Sequence, residues 1–115
     1  MTVLVFEDNL LWSSRLKRSL SALEKRCVIY DSEPETIPQA EVAIINLGSK
    51  RFKTEELVQK LKAQGTYVLA HAGHKETALL EIGRVAGCDK VATNSALTFK
   101  IEALLNEIPA LNLKQ

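Results

Sequence analysis

The sequence predicts an α/β domain, a doubly wound sheet of five parallel strands with helices on both faces. Three observations lead there. Short apolar runs alternate with longer stretches of helical periodicity along the chain, the pattern of strand–helix–strand units. The first, third and fourth runs, Val3-Leu4-Val5-Phe6, Val42-Ala43-Ile44-Ile45 and Tyr67-Val68-Leu69-Ala70, are continuously apolar over their centres. Strands read this way when both faces are covered, as in a parallel sheet. Polar residues follow each of these runs: Glu7-Asp8, Asn46 and His71. In open α/β sheets the carboxyl ends of the strands are where ligands sit.

The elements follow in order. Strands are expected at 3–6, 28–30, 42–45, 67–70 and 90–92. Between the first two, Trp12, Leu16, Leu20 and Leu23 recur at helical spacing and mark a buried stripe, with Arg15, Lys17 and Arg18 elsewhere on the wheel. The stretch 31–41 carries Pro34 and Pro38. Two prolines so close exclude a regular multi-turn helix, so the second crossover is expected to be short or irregular. Thr54 suits an N-cap for a helix carrying Leu57, Val58 and Leu61, and Gly65 suits its end. His74 to Ala86 reads as the next helix, buried along Leu79, Ile82, Val85 and Ala86 and closed by Gly87. A single last helix is expected after the caps Asn94-Ser95. It would bury Leu97, Ile101, Leu104, Leu105 and Ile108 and stop at Pro109. Residues 112–115 form a short polar tail.

Composition bounds the function. The 115 residues suit one domain spanning 1–115. Apolar residues make up 46% and charged residues 25%, a globular balance. A net charge of +1 supplies no global field for nucleic acid or an acidic membrane, and neither is expected as a partner. No apolar run reaches membrane-spanning length, and the N-terminus lacks a signal-peptide pattern. Cys27 and Cys88 have no metal spacing. They read as reduced thiols of a cytoplasmic protein, a disulfide between them being the less favoured alternative.

With these elements placed, the chain resembles the receiver domains of response regulators, over almost its whole length. The flavodoxin-like fold is what that resemblance implies. The family's acidic pair falls on Glu7-Asp8 and its phospho-acceptor aspartate on Asn46. The hydroxyl residue that closes its fourth strand falls on His71, within Leu69-Ala70-His71-Ala72. Its Ala-Gly-Ala element matches Ala86-Gly87-Cys88. The switch aromatic falls on Val91, and the lysine–proline pair on Asn94-Ser95. Only the acidic pair is retained. The resemblance therefore implies a degenerate member, a pseudo-receiver without phosphoryl chemistry.

The residue chemistry agrees. An amide at Asn46 is neutral and cannot act as an anionic nucleophile. It is expected to be structural, hydrogen-bonding the loops above the sheet. Glu7 and Asp8 are expected to form a partly solvated acidic pocket rather than a working metal site, and replacing a third carboxylate by an amide relieves repulsion among anions there. His71 is expected to be a solvent-facing loop histidine. The sharper alternative turns it toward Glu7 and Asp8, whose charges would favour an imidazolium, a pH-sensitive plug with a raised pKa. Lys50, Arg51 and Lys53 read as a solvated basic loop. The serines and histidines form no hydrolase arrangement, and the scattered glycines form no phosphate cradle.

The expectation is a non-enzymatic signalling module of a two-component-type pathway, with no catalytic residue, metal or cofactor. It would act through phosphorylation-independent contacts with a histidine kinase, another regulator or a second copy as a homodimer. The alternative is a small flavodoxin-like enzyme or ligand- or metal-binding protein using Glu7, Asp8 and His71. Phe99 lies nearly opposite the buried stripe of the last helix, beside Glu102, Ala103 and Asn106, and Leu80 lies off the main stripe of the helix before it. These five residues form the candidate partner surface, with exposed aromatics as common interface anchors.

Overall fold

The computed structural model describes residues 1–109. Strand β1 (Thr2–Phe6) is followed by α1 (Leu10–Ala22), β2 (Arg26–Tyr30), β3 (Val42–Asn46) and α2 (Thr54–Ala63). Then come β4 (Tyr67–Ala72), α3 (Thr77–Ala86), β5 (Lys90–Thr93), α4 (Asn94–Phe99) and α5 (Ile101–Asn106). All pairings are parallel, in the order β2-β1-β3-β4-β5. β1 pairs with both β2 and β3, so the strand order reverses there. The register sets Asn46 opposite His71 on β3 and β4.

Alternation along each strand splits the core in two. Val3, Val5, Val42, Ile44 and Leu69 pack with Leu16 and Leu20 of α1 and with Leu97, Ile101, Leu104, Leu105 and Ile108. Leu4, Phe6, Ala43, Ile45, Val68 and Ala70 pack with Leu57, Val58 and Leu61 of α2 and with Leu80 of α3. The free thiols Cys27 and Cys88 pack against different clusters. Burial raises both thiol pKa values, that of Cys88 to about 11 with help from Asp89.

The crossover 31–41 contains no helix. It is held as a strap instead. The Gln39 side chain donates to the Gln64 carbonyl, Gln64 donates back to the Pro38 carbonyl, and the buried Thr66 hydroxyl donates to the Ala40 carbonyl. Glu41 Oε1 accepts from the Thr2 N–H at 2.7 Å.

Four local expectations are corrected. Thr54 is the first helical residue and Lys53 holds the cap position without a side-chain bond; Glu55 and Glu56 supply the first-turn negative charge instead. The third helix begins at Thr77, not His74; Gly73 and Glu76 fold the residues before it into a turn, the Gly73 N–H donating to Glu76 Oε1 at 2.7 Å. The last helix is two short ones, broken at Lys100 (φ −130°, ψ 26°). The Thr98 hydroxyl donates to the Asn94 carbonyl at 2.9 Å, a back-bond of the kind that bends helices. Its cap is Thr93, whose hydroxyl accepts from the Ala96 N–H, because Asn94 is engaged elsewhere.

The fourth correction concerns the phase of α3. Leu80 is buried in the core, not on the surface, whereas Ile82 is 49% and Val85 78% exposed. Gly83 is the cause. A Cβ there would lie 2.9 Å from Leu47 Cδ1 and 3.2 Å from Val91 Cγ2, so this is where the helix approaches the sheet most closely. Leu47 and Val91 form the floor that receives it. The expected tail 112–115 lies outside the described residues.

This phase has a direct test. Leu80→Ala is expected to cost about 2–4 kcal/mol in denaturant unfolding, while Val85→Ala changes stability by less than about 0.5 kcal/mol. Equal costs would return Val85 to the core.

Candidate functional site

The carboxyl ends of the central strands converge on one hydrogen-bonded chain of side chains. It begins at Gly48, whose N–H donates to Asn46 Oδ1 at 2.9 Å. Asn46 Nδ2 donates to Glu7 Oε2 at 2.8 Å, and the Asn9 N–H donates to the same oxygen at 3.2 Å. Glu7 Oε1 then faces His71 Nε2 at 3.8 Å. His71 Nδ1 lies 2.7 Å from Asn94 Oδ1. Residues from β3, the end of β1, β4 and the end of β5 are thereby joined side by side.

Each position has a local reason. Asn9 caps α1, its Oδ1 accepting from the N–H groups of Leu11 and Trp12, which turns the chain sharply after β1. Glu7 is drawn inward by that turn and is 1% exposed, while Asp8 stands in solvent. His71 is a strand residue within β4, also 1% exposed. The Trp12 ring is tilted against the imidazole with centroids 5.8 Å apart, and the Arg15 guanidinium lies over the Trp12 ring at 5.4 Å from its centroid.

The proton inventory follows from the partners. Asn94 Oδ1 can only accept, so His71 Nδ1 carries a hydrogen. A neutral imidazole then presents a bare Nε2 to Glu7. Glu7 Oε2 is already saturated by two donors, which leaves Oε1. Both Oε1 and Nε2 are buried without another partner. At this separation the two atoms do not hydrogen-bond each other directly. The separation of 3.8 Å is also within ion-pair range, but burial disfavours charge on both groups. Burial holds the Glu7 carboxyl above its ordinary value of 4.5, against the hydrogen bonds from Asn46 and Asn9. Burial also holds His71 below its ordinary 6.5, opposed by the Asn94 bond. The contact therefore joins two groups that burial pushes toward their neutral forms.

Two expectations are overturned here. His71 is neither a solvent-facing loop residue nor a cationic plug; it does face Glu7, but the partner it meets is itself pushed toward neutrality. Nor do Glu7 and Asp8 form a shared solvated pocket, since one is buried and the other exposed. For the same reason Glu7, Asp8 and His71 do not line one open cleft. Asn46 is the structural amide expected, and both of its polar ends are engaged. Val91 is half-buried beside Gly83. Trp12, expected on the buried stripe of the first helix, instead joins the site, because its place in the first turn after the Glu7-Asp8 loop sets its ring against His71.

A magnesium ion does not suit these groups. Magnesium favours carboxylates with several waters. Here one Glu7 oxygen is occupied, and the other faces an imidazole nitrogen in a closed space. Among the described residues no cluster of three His, Cys, Asp or Glu side chains is placed to hold a metal.

No protein-family model matches the sequence, and no curated protein matches it. Solved structures do match the fold. The receiver domain of the sensor histidine kinase PA1611 from Pseudomonas aeruginosa, with a magnesium ion coordinated in its active-site cleft, superposes with a TM-score of 0.80 at 12% identity, covering 93% of this chain and 95% of that one. The chemotaxis response regulator CheY4 of Vibrio cholerae gives 0.78 at 13% identity, covering 94% and 98%. A response regulator from Burkholderia pseudomallei with a phosphorylated aspartic acid, a calcium ion and citrate gives 0.75 at 17% identity, covering 96% and 68%. The chain has the flavodoxin-like fold of response-regulator receivers.

The pair has a pH signature. His71 favours the folded state fully above its unfolded value near 6.5, and that contribution is lost as pH falls through its lowered folded value. Glu7 favours the folded state below about 4.5, and that contribution is lost as pH rises through its raised folded value. Glu7→Gln imitates the protonated acid, so it should match the parent in thermal stability at acid pH and exceed it at about pH 8. An NMR titration should place the His71 pKa below 6.5. A raised value would mean that the pair is an ion pair after all.

Proposed function

We propose that residues 1–115 form a single receiver-like domain that signals without accepting a phosphoryl group, a pseudo-receiver of a two-component-type pathway in the cytoplasm. The observation that carries this reading is Asn46. It stands at the end of β3 with its amide nitrogen committed to Glu7 and its oxygen to Gly48. An aspartate would be needed there as nucleophile, and the Glu7 oxygens beside it are already engaged by Asn46 and Asn9 or turned toward His71. Among the described residues no helix is long and apolar enough to cross a membrane.

Output in this reading comes from protein contacts with a kinase or another regulator. Phe99 supports a surface for them: it is 82% exposed at the end of α4, and Glu102, Ala103 and Asn106 beside it are exposed too. Leu80 is not part of that surface.

Two measurements test the proposal. Incubation with acetyl phosphate and magnesium should leave the intact mass unchanged, and magnesium alone should not move the thermal midpoint. A stoichiometric phosphate adduct would overturn the reading. Phe99→Glu should abolish cross-linked capture of the partner from cell extract, with a stability change under about 0.5 kcal/mol. Unchanged capture would remove this face from consideration.

A further inference from the structure

Helix α3 has two apolar faces, and the core uses only one. Leu80 and Gly83 face the sheet, which turns Ala78, Ile82 and Val85 outward. These three, with Ala86, line a groove of about 410 Å³ against α2, flanked by Glu55 and Glu81. The hollow adjoining it shares Ile82 and adds Glu56. Glu55 and Glu56 form no ion pair among the described residues; Glu81 meets only the exposed Arg84, at 3.3 Å.

The complementary surface is on the same chain. The outward ridge of α1 runs Leu10, Ser14, Lys17, Arg18 and Ser21, spaced so that all fall on one face. Leu10 and its neighbour Leu11 are among the most exposed large apolar residues. Lys17 and Arg18 line a shallow hollow with the two serines, and neither has an ion-pair partner among the described residues. Apolar end, cationic centre and small residues on the ridge thus answer an apolar, carboxylate-rimmed groove.

We infer that the α1 ridge of one copy docks in the α2–α3 groove of a second copy. Leu10 and Leu11 would cover Ile82 and Val85, with Lys17 and Arg18 against Glu55, Glu56 and Glu81. α1 packs on one face of the sheet and α2 and α3 on the other, so a molecule cannot fill its own groove. The contact is heterologous: each copy offers a ridge at one side and a groove at the other, and association propagates head to tail. A net charge of +1 leaves little general repulsion against it. One helix ridge in a groove is small, below about 1,200 Å² in total, the range of weak and transient contacts. The charge pairs make it salt-sensitive, because screening shortens to about 3 Å at 1 M salt.

Sedimentation velocity on the full chain tests this. The weight-average sedimentation coefficient should rise with protein concentration at low salt and return to the monomer value at about 1 M salt. Lys17→Glu with Arg18→Glu should weaken association about tenfold or more, as should Glu55→Lys with Glu81→Lys. An equimolar mixture of the two charge-reversed proteins should associate again, since each ridge then meets an oppositely charged groove. Val85→Asp should also abolish association while leaving the thermal midpoint nearly unchanged, and Phe99→Glu should have no effect. A protein that stays monomeric at low salt overturns the inference, and so does a mixture that fails to associate. Association insensitive to either charge reversal overturns it as well.

Discussion

Glu7 is a carboxyl group removed from water at the end of the central strand, and the strand ends are organised around keeping it satisfied. Isolating an ionised carboxylate in such a place costs several kcal/mol even after relaxation. Two donors on Oε2 offset part of that cost, and burial pushes the group itself toward its protonated form. Asn46, His71 and Asn94 are then linked parts of one arrangement. Asn46 supplies a donor where an aspartate would add a second negative charge. Asn94 fixes the imidazole tautomer, and Trp12 covers the ring. Changing any one of these residues strands a buried polar atom on its neighbour, the costly kind of hydrogen-bond loss.

The same logic separates this chain from the receivers it superposes on. Their fold puts a cleft at the switch point of the strand order, and two of the matched structures hold a metal ion. Here the cleft is filled from within by side chains of the chain itself. The scaffold has kept its geometry with only 12–17% identity to these matches, because the sheet requires buried apolar strands rather than particular residues.

Much of this was legible in the sequence. The continuously apolar runs identified the parallel sheet, the two prolines excluded a helix from 31–41, the strand ends placed Glu7, Asn46 and His71 together, and the family resemblance added Asn94. What the sequence concealed depends on packing. A glycine carries no weight on a hydrophobic wheel, yet Gly83 decides which side of α3 meets the sheet. The burial of His71 depends on Trp12 and Asn94, both distant in the chain, and no local pattern announces it. The break at Lys100 follows from a hydroxyl back-bond within a stretch whose apolar spacing is continuous across the break.

The position of β1 between β2 and β3 has a consequence for biosynthesis. Thr2–Phe6 leaves the ribosome before either neighbour, and its second partner, Val42–Asn46, follows only after α1, β2 and the strap. Until then Val3, Leu4, Val5 and Phe6, all fully enclosed in the finished fold, have no complete shelter. A nascent chain in that condition carries an adhesive strand with an open edge, the kind of segment that aggregates or recruits chaperones. The first strand of the sheet to be made thus waits for the third before both of its edges are paired.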